Sequence, residues 1–244
     1  NIDDCWMNAR NNKDPRRNGP FRDANGNIQP NSYFPDMKAL AEYIHSKGLK
    51  AGLYTSPGPM TCAGFAGSYQ HEEQDARQFA AWGFDFLKYD WCSYGNVAGG
   101  KDLAALQKPY RLMGEILKRL DRDIMLNLCQ YGMGDVWKWG AEVGGNSWRT
   151  TGDLGLEGSA LMPGFYKIGL SNAQHWEYGG PGHWNDPDYI LIGSYGNARA
   201  MGEAQKANLT PNECYSYVSM WSLMAAPLFF SGDMTRLDAF TLNV

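Results

Sequence analysis

Residues Phe84 to Cys92 read FDFLKYDWC, and how these nine residues are read decides the fold. Phe84, Phe86 and Leu87 form a short apolar run, with Gly83 before it and Gly95 after. A run of this length between turn residues suits a strand buried on both faces, as in a parallel sheet covered by helices. Side chains alternate along a strand, so Lys88 and Asp90 share one face and Tyr89 takes the other. A cation and a carboxylate thus leave the end of a buried strand side by side. In a barrel of parallel strands, catalytic groups sit at that carboxyl end. The plain structural alternative is an Asp capping the next turn and a Lys reaching to solvent.

On both sides of this strand, apolar runs alternate with helical patterns. Residues 1–6 read as the tail of a strand carrying Asp3 and Asp4, and residues 8–32 as a polar loop with a turn at Asn25-Gly26. Phe34-Pro35-Asp36 opens a helix with Met37, Leu40, Ala41, Ile44 and His45 on its apolar side, ended by Gly48. A strand over 49–54 and a helix over 71–82 precede the central strand. A long helix follows to about residue 120, with Leu103, Leu106, Tyr110, Met113, Ile116, Leu117 and Leu120 on one stripe. Then come a strand over 123–129, a short helix over 136–139 and a strand end at 146–149. A helix is expected over 156–170, although Pro163-Gly164 interrupts it. A strand-end loop at 183–188, a strong helix over 211–225 and a last buried strand over 227–231 complete the series. Strands alternating with helices at intervals of roughly 30–40 residues indicate βαβ units. The expected fold is α/β, a (β/α)8 TIM barrel, in one partial domain spanning residues 1–244. Only six or seven strand ends are found.

At 244 residues the chain is long enough for one such barrel. A net charge of −4 offers nothing to nucleic acid or an anionic membrane, and no apolar run approaches a membrane span. Nine Trp and fourteen Tyr are unusual, and flat rings suit the apolar face of a sugar. Five cysteines, an odd number, leave at least one without an intrachain disulfide partner. His183 with Asp186 and Asp188 is the nearest thing to a metal set, but Pro187 and the short spacing suit a turn better. Asn208-Leu209-Thr210 is a glycosylation sequon followed by Pro211.

The strand ends carry the chemistry: Asp3-Asp4, Tyr54, Lys88 and Asp90, Gln130-Tyr131, Arg149 to Asp153, and Asp186 to Asp188. There is no Ser/His/Asp or Cys/His arrangement and no phosphate-cradling loop. Carboxylates, a few cations and aromatics remain, the inventory of a glycoside hydrolase.

Seven motifs in series, NIDDCW, SKGLKAGLY, TCAGFAGS, LKYDWC, NSWRTTGD, GPGHWNDPDYILIG and MAAPLFFSGD, resemble the α-galactosidase family known as glycoside hydrolase family 27. The resemblance implies a (β/α)8 barrel normally followed by a small antiparallel β domain. On that alignment the chain begins at the end of strand two and stops after strand eight, without the first βα unit, the last helix and the β domain. It implies Asp90 as nucleophile and Asp153 as acid/base. It makes Asp3 and Asp4 the pair holding the galactose 4- and 6-hydroxyls, Tyr54 and Lys88 pocket residues, and Arg149 the contact to the 2-hydroxyl. Asp188 and Tyr189 become pocket wall, and Cys62 and Cys92 a disulfide beside the site, with Cys5 paired outside this chain. Gln130 stands where the family often has Glu, and Met133 where relatives accepting an N-acetyl group have a small side chain. A bulky Met favours galactose over N-acetylgalactosamine.

The implied reaction is retaining double displacement at a terminal α-linked galactose, which requires the two carboxyls about 5–5.5 Å apart and different proton affinities. Lys88 is expected to keep Asp90 ionised, and burial or negative neighbours to keep Asp153 protonated. No metal or organic cofactor is needed. Partners are galactoside oligosaccharides or glycoconjugates, in an extracytoplasmic compartment: periplasmic, secreted or lysosome-like. The alternatives are an α-N-acetylgalactosaminidase or β-L-arabinopyranosidase of the same family, and, from another class, a non-catalytic sugar-binding or inactive barrel fragment.

Overall fold

The computed structural model describes residues 1–196 and 205–244. The chain divides into two compact units. The first holds residues 1–130 and 139–146, the second residues 131–138 and 147–244.

In the first unit, strands β1 (Gly52–Thr55), β2 (Phe86–Asp90) and β3 (Met125–Cys129) pair in parallel and in sequence order. The register sets Tyr54 beside Lys88 and Asp90 beside Cys129. Helices α1 (Met37–Ser46), α2 (Glu72–Trp82) and α3 (Leu103–Leu117) provide the connections. Local chemistry fixes their ends. Asp36 and Asp102 accept the Ala39 and Ala105 amides as N-caps. Glu72, Glu73 and Asp75 put negative charge on the first turn of α2, and Gly83 ends that helix at φ 94°, where a side chain is disfavoured. The expected stripe of α3 buries Tyr110, Met113, Ile116 and Leu117, while Leu103 faces water. Trp6, Phe79, Trp82 and Phe84 pack largely edge to face, with centroids 5.8–6.5 Å apart.

In the second unit, β4 (Ser147–Arg149) and β5 (Trp184–Asp186) pair in parallel. Helices α4 (Phe165–Ala173) and α5 (Pro211–Leu223) pack around Leu154, Ile190 and Ile192 through Phe165, Ile168, Tyr217 and Trp221. A capping box starts α5: Thr210 accepts the Glu213 amide while Glu213 reaches back to the Thr210 amide. The hydroxyl of the sequon's Thr210 is therefore occupied, and Asn208 donates its amide to the Glu157 carbonyl at 2.7 Å. An antiparallel pair of β6 (Ser194–Tyr195) and β7 (Gln205–Lys206) and a short α6 (Ala239–Asn243) follow no pattern visible in the sequence.

Three expected elements are corrected. The helix expected over 156–170 begins only at Phe165, because Pro163 bars the preceding residue from helical geometry and Gly164 becomes the N-cap. The last strand shrinks to one parallel bridge, Ile190 to Phe230. Residues 1–6 likewise contribute a single bridge, Ile2 to Leu53, before the chain turns at Cys5 with φ 76°.

Candidate active site

The first unit gathers Asp3, Asp4, Tyr54, Cys62, Lys88, Asp90, Cys92 and Gln130 at the carboxyl ends of its parallel strands or in the loops that follow. Asp90 ends β2 and is only 5% exposed. Its Oδ2 accepts the Tyr54 hydroxyl at 2.9 Å, and its Oδ1 accepts the Trp91 amide at 2.7 Å. Burial, and then the Asp90 carboxylate beside it, push the Tyr54 phenol far above its ordinary range. Tyr54 therefore stays protonated and serves Asp90 as a fixed donor. The Tyr54 carbonyl accepts the buried Trp6 indole at 2.8 Å, and the Asp90 carbonyl accepts the Tyr110 hydroxyl at 3.4 Å.

Lys88 Nζ lies 5.4 Å from the centre of the Tyr54 ring and donates to Asp3 Oδ2 at 2.9 Å. Asp4 has turned toward the loop after β1. It accepts the Cys5 amide at 2.6 Å and the Ala63 amide at 2.9 Å, and a hydrogen bond from Thr61. Burial nonetheless lifts its carboxyl above the ordinary range. Burial and then Asp4 push the Cys5 thiol up to about 11.

Cys62 and Cys92 form the disulfide that the resemblance implied, with Cα atoms 4.9 Å apart. Two further ties join the same loops. Ser56 Oγ donates to the Cys92 carbonyl at 2.6 Å, and Ser93 Oγ meets both the amide and the carbonyl of Met60 at 3.0 and 2.7 Å. A side chain at Gly58 would collide with the Cys92 carbonyl and the Tyr94 amide, so glycine is required for this approach. Among the described residues, Cys62, Asp90 and Cys92 are the one group of three whose donor atoms cluster at metal-ligand spacing, within 4.8 Å. Both sulfurs are spent in the disulfide, so this donor set does not fit a metal.

The second unit gathers Arg149, Asp153, Asp188 and Tyr189, with Tyr131 and Met133 on a short loop. Arg149 ends β4 with its side chain 3% exposed. Its Nη2 lies 2.9 Å from Asp188 Oδ2 and 3.3 Å from Asp153 Oδ1, and donates to the Gly152 carbonyl at 2.8 Å. The Tyr131 ring lies 5.9 Å from the Arg149 guanidinium carbon. The Asp153 side chain is 55% exposed. Burial or negative neighbours were expected there; this unit instead sets an open carboxylate against an arginine.

Asp188 is 2% exposed and holds φ 82°, an unusual geometry for a side chain with a Cβ. Its carboxylate also accepts the Leu154 amide at 2.9 Å, its amide donates to Asp186 Oδ1 at 2.8 Å, and its carbonyl accepts the Trp221 indole at 2.9 Å. Pro187 and Asp188 thus leave β5 as irregular backbone held by the Asp188 amide on Asp186. The Tyr189 carbonyl accepts the Tyr217 hydroxyl at 2.6 Å. Met133 is half-buried beyond Gly132, whose φ of 83° brings its backbone against the Thr150 carbonyl.

Sequence reasoning missed the supporting donors Trp6 and Tyr110. Trp6 lay within a quoted motif and Tyr110 on an apolar stripe, so their aromatic bodies were visible and their polar tips were not.

A family model described as "Melibiase_2: Alpha galactosidase A" matches residues 1–243. "Alpha-galactosidase A" of Cellvibrio japonicus is 36% identical over 98% of this chain and 53% of its own length. A solved structure from Bacteroides fragilis is 36% identical with a TM-score of 0.84, over 100% of this chain and 49% of that one. The structure of the Saccharomyces cerevisiae alpha-galactosidase with raffinose is 26% identical with a TM-score of 0.79, over 98% of this chain and 51% of that one. The chain spans about half the length of the relatives it matches. Its fold class is α/β, with the strand–helix alternation of an incomplete (β/α)8 barrel.

Proposed function

We propose, for a chain that belongs to the Melibiase_2 (Alpha galactosidase A) family, that it carries the catalytic carboxylates of a retaining exo-α-galactosidase. The observation that carries this reading is Asp90: a buried carboxylate at the end of a parallel strand, aimed by a protonated Tyr54 and the Trp91 amide. An attacking carboxylate needs one orientation and little freedom, and two donors on two oxygens supply that.

In this mechanism Asp90 attacks the anomeric carbon and displaces the aglycone. Asp153 gives its proton to the departing oxygen and then takes one from the water that releases the sugar. The exposed Asp153 suits a group that must meet both an aglycone and bulk water. Arg149 beside it is the group proposed to contact the sugar 2-hydroxyl. Asp3 and Asp4 are proposed to hold the galactose 4- and 6-hydroxyls, and Lys88, paired with Asp3, to reach the 3- and 4-hydroxyls. Gln130 is proposed to read the sugar's 2-substituent, Asp188 and Tyr189 to form pocket wall, and Met133 to be the bulk that excludes an acetamide. The substrate class is galactosides with a terminal α-linked galactose, in line with a raffinose complex of a relative.

No helix among the described residues is long and apolar enough to cross a membrane. The Cys62–Cys92 bridge supports an oxidising, extracytoplasmic compartment.

The test is hydrolysis of a chromogenic α-galactoside by the full-length protein that carries this chain. The anomeric form of the first product is read by NMR. Release of α-galactose first supports the reading. Release of β-galactose first, or turnover of the N-acetylgalactosaminide alone, overturns it.

A further inference from the structure

We propose that Arg22 and Asp75, neither of them among the sugar-contacting positions named above, are positioning residues that act on Asp90 through a buried polar relay behind β1. The proposal rests on the reading of Asp90 as the nucleophile. Asp75 lies on α2 and is 0% exposed; Arg22 comes from the polar loop over residues 8–32. The two form a bidentate pair, Nη1 to Oδ1 at 2.5 Å and Nη2 to Oδ2 at 2.8 Å. Arg22 Nη1 and Nη2 also donate to the Gly26 and Gly67 carbonyls, at 3.0 and 2.9 Å. Asp75 also accepts a hydrogen bond from Ser68, whose Oγ lies 2.9 Å from Thr55 Oγ1. Thr55 and Ser68 are both fully buried.

The direction of the relay follows from proton counting. An ionised carboxylate only accepts, so Ser68 gives its single hydroxyl proton to Asp75 and Thr55 is the donor to Ser68. Thr55 is the last residue of β1 and follows Tyr54, whose hydroxyl holds Asp90. Neighbouring strand residues face opposite ways, so the relay grips β1 from the face opposite Tyr54. The Ser68 amide donates to the Ser56 carbonyl at 2.8 Å, and Gly67 sits against the Gly58 carbonyl with no room for a side chain. The strand end and the returning loop are thus pinned together at the point where Tyr54 leaves the sheet. A buried ion pair is weak evidence for stability, because well-packed apolar residues often do as well. A fully satisfied buried network instead selects one geometry, which is what an attacking carboxylate requires.

The test uses the full-length protein with the relay variants Asp75→Asn and Ser68→Ala, Tyr54→Phe, and Ser68→Thr as the conservative control. Ser68→Ala breaks the relay without leaving a buried charge, so it reports even if Asp75→Asn folds poorly. On a chromogenic α-galactoside, each relay variant is expected to lower kcat on the order of tenfold with KM within about twofold. In the Tyr54→Phe background the same change is expected to cost less than about twofold, because the relay then has nothing to position. Ser68→Thr, which keeps the hydroxyl, is expected to restore most of kcat. Equal losses with and without Tyr54, or a change in KM alone, overturn the proposal. Amide exchange gives a readout free of turnover: residues 52–55 and 66–69 are expected to exchange faster in Ser68→Ala, with α3 unchanged. Unchanged exchange there also overturns it. A wild-type protein that cleaves no α-galactoside sinks the preceding functional reading instead, and the exchange experiment alone then decides whether the relay orders β1.

Discussion

Asp90 and Asp153, the two carboxylates proposed to carry the reaction, are held in different ways. Asp90 is enclosed: it ends a strand paired on both sides, has a donor on each oxygen, and sits beside loops tied by a disulfide and two serines. Asp153 lies four residues beyond Arg149, past the end of β4, with most of its side chain in solvent. The rigidity of the second unit is spent on Arg149 and Asp188 instead. The difference suits a division of labour: a nucleophile must not move, whereas a proton carrier serves two steps and meets water.

The largest expected effect is loss of the enclosed group. Asp90→Asn should lower turnover on the order of 10⁴-fold or more on every substrate. Asp153→Asn should lower it on the order of 10²–10⁴-fold on poorly departing aglycones, and far less on a nitrophenyl galactoside that leaves without a proton. Steady-state rates on the two substrate types check both, and equal leaving-group dependence would erase the distinction.

Arg149→Met probes the rigid part of the second unit. It strands the Asp188 carboxylate in the interior and should cost about 3–5 kcal/mol of stability, measured by denaturant unfolding. The Cys62–Cys92 bridge closes a loop of 30 residues, worth about 3–4 kcal/mol in the chain-entropy description. Because Ser56 and Ser93 tie the same loops, Cys62→Ser should lower the unfolding free energy by that amount while leaving KM for galactosides within about twofold. A large rise in KM would mean that the disulfide alone shapes the loops around Asp90.

The smallest effect lies at the opposite end of β2. Burial works to raise the Asp85 carboxyl, but the Ala51 amide, His45 and Arg122 outweigh it and hold it at about 2. A depressed carboxylate contributes stability that is fully present above its unfolded value of about 3.9 and is lost as pH falls through the folded value. Wild-type stability should therefore fall between about pH 4 and pH 2, and Asp85→Asn should flatten that slope. An unchanged slope in the variant would remove Asp85 from the account of acid unfolding.

Much of this was legible in the residues. The central strand, the helix start at Asp36, the stop at Gly83 and the apolar stripe of α3 all follow from local chemistry, which acts over a few positions of chain. The motifs around Asp90 and Arg149 likewise marked strand ends correctly. The 156–170 helix failed because Pro163-Gly164, plain in the sequence, was given too little weight, whereas residues 1–6 and 227–231 are elements whose limits depend on distant neighbours. Residues 227–231 are apolar enough for a strand, yet Phe230 makes a single bridge with Ile190, and a strand needs a partner along its length.

The sequence by itself determined the parallel strand–helix order, the placement of polar groups at strand ends and the family, because periodicity, caps and motif order are written along the chain. Only the tertiary structure decided that Lys88 meets Asp3, that Asp4 turns to the Cys62 loop, that Arg149 clasps Asp188, and that Arg22 reaches Asp75 across 53 positions. Those pairings join polar groups far apart in sequence, and strand register, burial and the competition for donors choose among partners that composition leaves equivalent.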